Sequence, residues 1–213
     1  DLGFWSGRTG GFAWTGTNHA PASGVVTDST FTGGQYGIFA SRTTNMQVYH
    51  CRFAVNTLDG YAQHHLSEGN VTRDSIATGN GNNGFTVDRG SSLAHFTNDI
   101  ATYNGHDGFD LDGRSLAKQT GSASGADTTN YGNDTVEHSW ATNNRNVGIL
   151  IAGGYQQTVH TTQANSNQDG IVVRSGADSF TLTNNLVRAN TRFGIMVNAG
   201  STGAVSTNVV DGG

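Results

Sequence analysis

Apolar and polar residues alternate in short bursts along this chain, and each burst follows a glycine. Seven segments carry the pattern: Tyr36-Gly37-Ile38-Phe39-Ala40, Asp59-Gly60-Tyr61-Ala62-Gln63, Asn83-Gly84-Phe85-Thr86-Val87, Asp107-Gly108-Phe109-Asp110-Leu111, Val147-Gly148-Ile149-Leu150-Ile151, Asp169-Gly170-Ile171-Val172-Val173 and Phe193-Gly194-Ile195-Met196-Val197. Successive glycines lie 23, 24, 24, 40, 22 and 24 residues apart. Period-2 alternation over a few residues is the mark of a strand. Recurrence at a near-constant interval makes each repeat one coil of a strand solenoid. A leucine-rich repeat has a similar period, but its Leu and Asn pattern is absent. The long interval reads as a regular coil with an inserted loop at 113–134. The third coil illustrates three short strands, near 71–72, 75–77 and 85–88. Four residues before the glycine, five coils carry Asn: Asn56, Asn80, Asn104, Asn144 and Asn190. Side-chain amides at one position of successive coils can bond to one another in a ladder. The pattern therefore predicts an all-β chain, a right-handed parallel β-helix of coils about 23 residues long. Residues 1–213 read as one β-helix domain. Residues 1–24 lack the repeat and read as an irregular coil or cap. The pattern is still running at Val209-Val210-Asp211, so a piece of a longer solenoid is the expectation.

Composition agrees with this picture. Among 213 residues there are 31 Gly and one Pro, and 13% are charged. Too little Ala, Leu, Glu and Lys is present for a helical bundle. Collagen would need Gly at every third position together with Pro. A net charge of −5 is too small to argue for disorder and gives no basic surface for nucleic acid. No apolar run is long enough to span a membrane. Cys51 is the single cysteine, so there is no internal disulfide framework. No signal peptide opens the sequence, which fits a mature secreted protein. A monomer is expected.

Alternation also sorts side chains by direction. One residue past the glycine stand Ile38, Tyr61, Phe85, Phe109, Ile149, Ile171 and Ile195; three past it stand Ala40, Gln63, Val87, Leu111, Ile151, Val173 and Val197. These columns are overwhelmingly apolar and point inward, so positions two and four past the glycine point outward. The four-past column contains His64, Asp88 and Asp112 on consecutive coils. Parallel strands lie about 4.8 Å apart, which sets His64 beside Asp88 and Asp88 beside Asp112. Asp59 and Asp110 flank the same patch. A His among carboxylates on a rigid sheet is an arrangement that shifts proton affinities. Asp and His also decorate solvated sheet faces, and a lone residue of that kind is ordinarily just hydrated; only the His64–Asp88 register lifts that pair above its background. His65, at the next position, is inward or turn-facing. His106 lies in the turn on the Asp side of the patch. His19, His50, His95, His138 and His160 show no clustering and read as structural. The inserted loop follows Asp112 directly, and loops of this length are often functional. Its Arg114, Lys118 and Tyr131 are within reach of the patch, as is Arg89.

The run Asp59-Gly-Tyr-Ala-Gln-His-His65, followed by Asn70-Val-Thr-Arg-Asp-Ser-Ile-Ala-Thr-Gly-Asn-Gly-Asn-Asn-Gly-Phe85, resembles the catalytic module of bacterial mannuronan C5-epimerases, parallel β-helix enzymes that act on alginate. The likeness covers roughly residues 45–199, though much of it is generic coil repeat. The family motif reads Tyr-Gly-Phe/Ile-Asp-Pro-His-Glu/Asp, with a further Asp on the next coil. Laid on this chain without gaps, the motif His falls on His64 and the next-coil Asp on Asp88. The motif Tyr becomes Asp59, the Asp becomes Ala62, the Pro becomes Gln63 and the final acid becomes His65. In the family, His and Tyr transfer protons and the Asp residues position them. Tyr36 occupies the pre-glycine position one coil earlier and is the candidate substitute.

The resemblance implies an enzyme of an anionic, uronic acid polysaccharide. The acidic C5 proton is removed, and the resulting anion is either reprotonated on the other face or expels the 4-linked sugar. His64 is the expected proton-transfer group, with Asp88 and Asp59 completing the catalytic set. Tyr36, His65, Arg89, His106, Asp110, Asp112, Arg114 and Lys118 are the expected substrate contacts. A β-eliminating lyase, a glycoside hydrolase built on paired carboxylates and a non-catalytic glycan-binding solenoid remain open. No cofactor is expected. The Asp-rich face leaves calcium open, although no calcium-binding nonapeptide is present.

Overall fold

A computed structural model describes residues 12–16, 20–114 and 131–212. The chain winds as a right-handed parallel β-solenoid of about eight turns with three sheets. The first sheet runs Phe12–Thr15, Ile38–Ser41, Tyr61–His64, Phe85–Val87, Phe109–Asp112, Val147–Tyr155, Asp169–Val173 and Phe193–Val197 in spatial order. It is the sheet of the repeat glycines. The second and third sheets are built in the same coil-by-coil order, with strands such as Val71–Arg73 and Ile76–Thr78 in the coil that leads to Phe85. Pairing is in register throughout most of the first sheet: Phe85 faces Tyr61 on one side and Phe109 on the other. Within residues 1–24, Phe12–Thr15 is already a strand of this sheet, paired with Ile38–Ser41.

Single left-handed residues make the corners. Between second- and third-sheet strands sit Asp28, His50, Asp74, Asn98, His138, Thr161, Asn184 and Thr207, all with φ of 48° to 56°. Asn and Asp tolerate this region best among residues with a Cβ. One such residue bends the chain sharply enough for the next strand to begin two positions later.

The inward columns form the core. Ile38, Tyr61, Phe85, Phe109, Ile149 and Ile171 have no exposed surface, and burial of each such side chain contributes about 1.5–3 kcal/mol. The Phe85 and Phe109 rings stack at 5.0 Å between centroids. The polar exception, Gln63, is also fully buried; its Nε2 donates to the carbonyls of Ser67 and Ser92 at 3.1 and 3.2 Å. The asparagine ladder is present and has a sixth member. Each of Asn56, Asn80, Asn104, Asn144 and Asn167 donates from Nδ2 to Oδ1 of the next, ending on Asn190. Asn167 stands three rather than four residues before its glycine, because its coil is the shortest. A second ladder of mixed residue types, Ser75, Asp99, Ser139, Thr162, Asn185 and Asn208, accepts backbone N–H groups from coil to coil.

The outward columns of the first sheet leave the coil interior, yet few members are exposed. Val147, Leu150, Ala152 and Val172 form their own buried cluster, with Met196 against it. After Arg114 the described chain resumes at Tyr131, whose N–H donates to the Gly113 carbonyl at 2.7 Å. Asp134, expected to close the insertion, is instead a buried ladder residue bonded to Ala94 and Gln157. Lys118 lies outside the described residues. No described helix is long and apolar enough to cross a membrane.

Candidate active site

His64 ends the strand Tyr61–His64, opposite Ser41. Asp88 follows the strand Phe85–Val87, and its N–H donates to the Gln63 carbonyl at 3.0 Å. The ladder thus fixes both Cα atoms, and the side chains meet: His64 Nδ1 lies 2.9 Å from Asp88 Oδ1, with the two side chains 7% and 22% exposed. The contact is at ion-pair distance but not in hydrogen-bond alignment, and Nε2 is sealed from water without a protein partner. A carboxylate at Nδ1 favours the Nδ1–H tautomer and leaves the Nε2 lone pair as a base. Rings pack around this imidazole. Phe39 lies 4.9 Å away, His65 5.6 Å and Tyr36 5.9 Å, the last edge-on. Phe39 was not foreseen as part of the site; its outward position beside His64 in the register was the available signal.

His65 occupies a left-handed corner at φ 52°. Burial, then the charges of His64 and Arg89, hold its imidazole down at about 4. It is therefore neutral at physiological pH. Arg89 Nε lies 3.9 Å from Asp88 Oδ2.

The other expected residues are drawn into different work. Asp59 Oδ1 accepts from Asn82 Nδ2 at 2.7 Å and from the Asn83 N–H at 3.0 Å. Burial raises its proton affinity, against these bonds. It heads a column of coil-to-coil caps: Asn83 Oδ1 accepts the Asp107 N–H, and Asp107 Oδ1 accepts the Val147 N–H. His106 Nδ1 lies 3.0 Å from Asp107 Oδ2, so it pairs with this column. Burial raises Asp107 in turn. Asp112 is clasped by Arg114, whose Nε and Nη2 donate at 2.8 and 2.6 Å. The register slips at this point, Leu111 facing Ile151 and Asp112 facing Gly153. Asp110 sits between these groups. Its Oδ2 receives a long 3.4 Å contact from Asn83 Nδ2, and its Oδ1 is buried without a partner. Burial, followed by the charges of Asp107, Asp112, Asp88 and Asp59, pushes it well above the usual carboxylate range.

One expectation is corrected on the second sheet. His95 and His160 do cluster: His95 Nε2 and His160 Nε2 lie 2.8 and 3.0 Å from the two oxygens of Glu137, and His138 packs edge-on to His160. The residues come from three adjacent coils, a spacing that only the full register brings together. Among the described residues, no group of three or more His, Cys, Asp or Glu has the geometry to hold a metal ion.

Three in-register parallel sheets and a buried His–Asp pair on one outer face define a parallel β-helix protein with a candidate proton-transfer site. The chain belongs to the right-handed β-helix region family, whose model matches residues 6–120 and 114–213. No curated protein matches it in sequence. Among solved structures it is similar to the A-module of Azotobacter vinelandii mannuronan C-5 epimerase AlgE4, at 18% identity and TM-score 0.69, over 88% of this chain and 60% of that one. The AlgE6 A-module of the same organism matches at 16% identity and TM-score 0.67, over 89% of this chain and 59% of that one. The periplasmic alginate epimerase AlgG matches at 14% identity and TM-score 0.64, over 89% of this chain and 51% of that one. The chain therefore spans between half and three fifths of these structures. At such identities the shared property is the fold.

Proposed function

We propose that this protein is an extracytoplasmic enzyme of uronic acid polysaccharides, and that His64 removes the C5 proton of a bound sugar in the manner of a C5-epimerase. The observation that carries the reading is the His64–Asp88 pair. It is a buried imidazole with a carboxylate 2.9 Å from Nδ1 and an unpartnered Nε2, at the two positions where the epimerase motif places its His and next-coil Asp. The similar structures are those of mannuronan and alginate epimerases, which supports this substrate class. In the reaction, Nε2 takes the C5 proton while Asp88 holds the imidazolium that forms. Reprotonation from the opposite face needs a second acid, and Tyr36 is the phenol nearest to His64 in the ring cluster.

One observation favours a lyase as the second reading. The motif Tyr position holds Asp59, whose carboxylate is engaged by Asn82 and Asn83. If Tyr36 does not supply the second proton, the C5 anion expels the 4-linked sugar instead. Incubation with polymannuronate and polyguluronate separates the outcomes. A changed sugar ratio by proton NMR without cleavage marks an epimerase, and unsaturated ends absorbing in the ultraviolet mark a lyase. His64→Gln should lower the rate by about 10³-fold and Asp88→Asn by about 10²-fold, as expected for a general base and its partner. Full activity in either variant would refute the site.

A further inference from the structure

We propose that Asp110 is the residue that receives the substrate's carboxylate: its carboxyl group, lying among four other aspartates with one oxygen unpartnered, keeps its proton and donates a hydrogen bond to a uronic acid residue bound across the coils. The proposal rests on the uronate reading above and assigns the subsite that reading requires.

The geometry begins with what Asp110 lacks. Every other aspartate of the face has a donor or a cation. Asp59 has Asn82 and Asn83, Asp88 has His64 and Arg89, Asp107 has His106 and the Val147 N–H, and Asp112 has Arg114. Among the described residues, Asp110 has only the 3.4 Å contact from Asn83 Nδ2 to Oδ2. A buried ionised oxygen with no donor is a costly state, and a carboxyl so placed takes up a proton instead. The surroundings reinforce this. Its register partners are Thr86 on one side and Leu150 on the other, both uncharged. On its own coil Asp107 and Asp112 add negative charge, with Arg114 bound to Asp112 and His106 to Asp107. From the two preceding coils come Asp88 with Arg89, and Asp59 with His64. Burial and these carboxylates act in the same direction.

A second, independent feature points to a ligand here. His64, two coils away on the same sheet and with only 7% of its side chain exposed, holds a buried Nε2 that has no hydrogen-bond partner. A base and a neutral carboxyl on one rigid sheet suit the two halves of one uronate. The carboxyl O–H meets the substrate carboxylate and disperses its charge, which makes the C5–H bond more acidic, and Nε2 accepts that proton. Asp110 shares its proton without transferring it. Oδ1 is sealed in this structure, but the Asn83 contact is at the long limit of a hydrogen bond, so rotation about χ2 can present the O–H.

The test follows the Asp110 carboxyl by carbon NMR in the unsubstituted chain. Binding of a mannuronate oligosaccharide and of a neutral mannose oligosaccharide is measured by calorimetry in a His64→Gln background, across pH. The expected result is an Asp110 resonance that titrates above the ordinary carboxylate range. Mannuronate affinity should fall about tenfold as pH rises through that titration, the size of one charge-assisted hydrogen bond. Asp110→Asn, neutral at every pH, should bind within about threefold of the parent at low pH, keep that affinity on the alkaline side, and leave neutral-sugar binding unchanged. An Asp110 that titrates as an ordinary carboxylate, or an Asn variant with the parent's pH dependence, overturns the proposal and leaves the uronate reading standing. No mannuronate binding at any pH overturns both.

Discussion

The smallest unit that decides this fold is a single buried amide. Asn104 accepts the Asn80 N–H and Nδ2–H through its Oδ1 at 3.2 and 2.9 Å, and donates from its own Nδ2 to Asn144 Oδ1 and the Ala77 carbonyl at 2.9 and 3.2 Å. Removing the side chain strands donors and acceptors on both neighbouring coils at once. Each buried unsatisfied group costs about 1–3 kcal/mol. Asn104→Ala should therefore destabilise the chain by about 3 kcal/mol or more in urea unfolding, whereas Gln168→Ala, on an exposed residue one position past ladder member Asn167, should change it by less than about 0.5 kcal/mol. Equal effects would mean that the ladder carries no special weight. Five of the six Asn were legible because they share one offset from the glycine. Asn167 was not, because a shorter coil moved it by one position while its amide kept its place in space. The His64–Asp88 pair was legible for the same reason: a constant coil length turns sequence offset into adjacency. Phe39 and Asp110 were placed on the right face, but their surroundings depend on burial, which alternation does not report.

At the scale of the element, the repeat is held by corners and by glycines with different reasons for being there. Gly84 has an ordinary φ, but a Cβ there would sit 2.7 Å from the Gly108 carbonyl oxygen and 2.9 Å from Asn104 Nδ2. Close approach of coils is what requires it. The corner after the third sheet is the opposite case. There Gly33, Gly79 and Gly212 take φ of 74°, 65° and 76° in open or nearly open space, and the same corner holds Val55 at φ 55°, 67% exposed. A β-branched residue is poorly suited to this region. Val55→Asn should stabilise the protein by about 1 kcal/mol, seen as a higher thermal midpoint. A lower midpoint would mean that Val55 makes compensating contacts. The second ladder was illegible at this scale. Ser, Asp, Thr and Asn alternate in it, because any short side chain with an acceptor can meet the N–H of the preceding coil. The His95–Glu137–His160 cluster was hidden by the 40-residue coil, which separates in sequence what the sheet places side by side.

For the molecule as a whole, the buried ladders carry a pH dependence unusual for a protein of net charge −5. Asp134 is fully buried, accepts from the Ala94 N–H and Gln157 Nε2 at 2.9 Å each, and is raised to about 7 by desolvation. Asp99, in the mixed ladder, is raised well above the carboxylate range by the same cause. The unfolded chain releases such a proton near pH 3.9. Below that value both states are protonated and nothing is lost. Between about 4 and 7 the folded chain keeps a proton that the unfolded chain gives up, so stability falls as pH rises; above about 7 both are ionised and the loss is complete. At about 1.4 kcal/mol per unit, Asp134 alone accounts for at most about 4 kcal/mol. His65, held down at about 4, works the other way, since the unfolded chain binds its proton first as pH falls below about 6.5. The net profile mixes these slopes, but a difference isolates one residue. Asp134→Asn keeps an acceptor for Ala94 and cannot ionise. Relative to the parent it should gain stability steadily from pH 4 to pH 8 in urea titrations, by up to about 4 kcal/mol, with the gain confined to that window. Parallel curves would mean that Asp134 is already ionised in the fold, its charge supported by the two hydrogen bonds. In that case Asp134 would be a single buried anion between the neutral groups of Ala94 and Gln157.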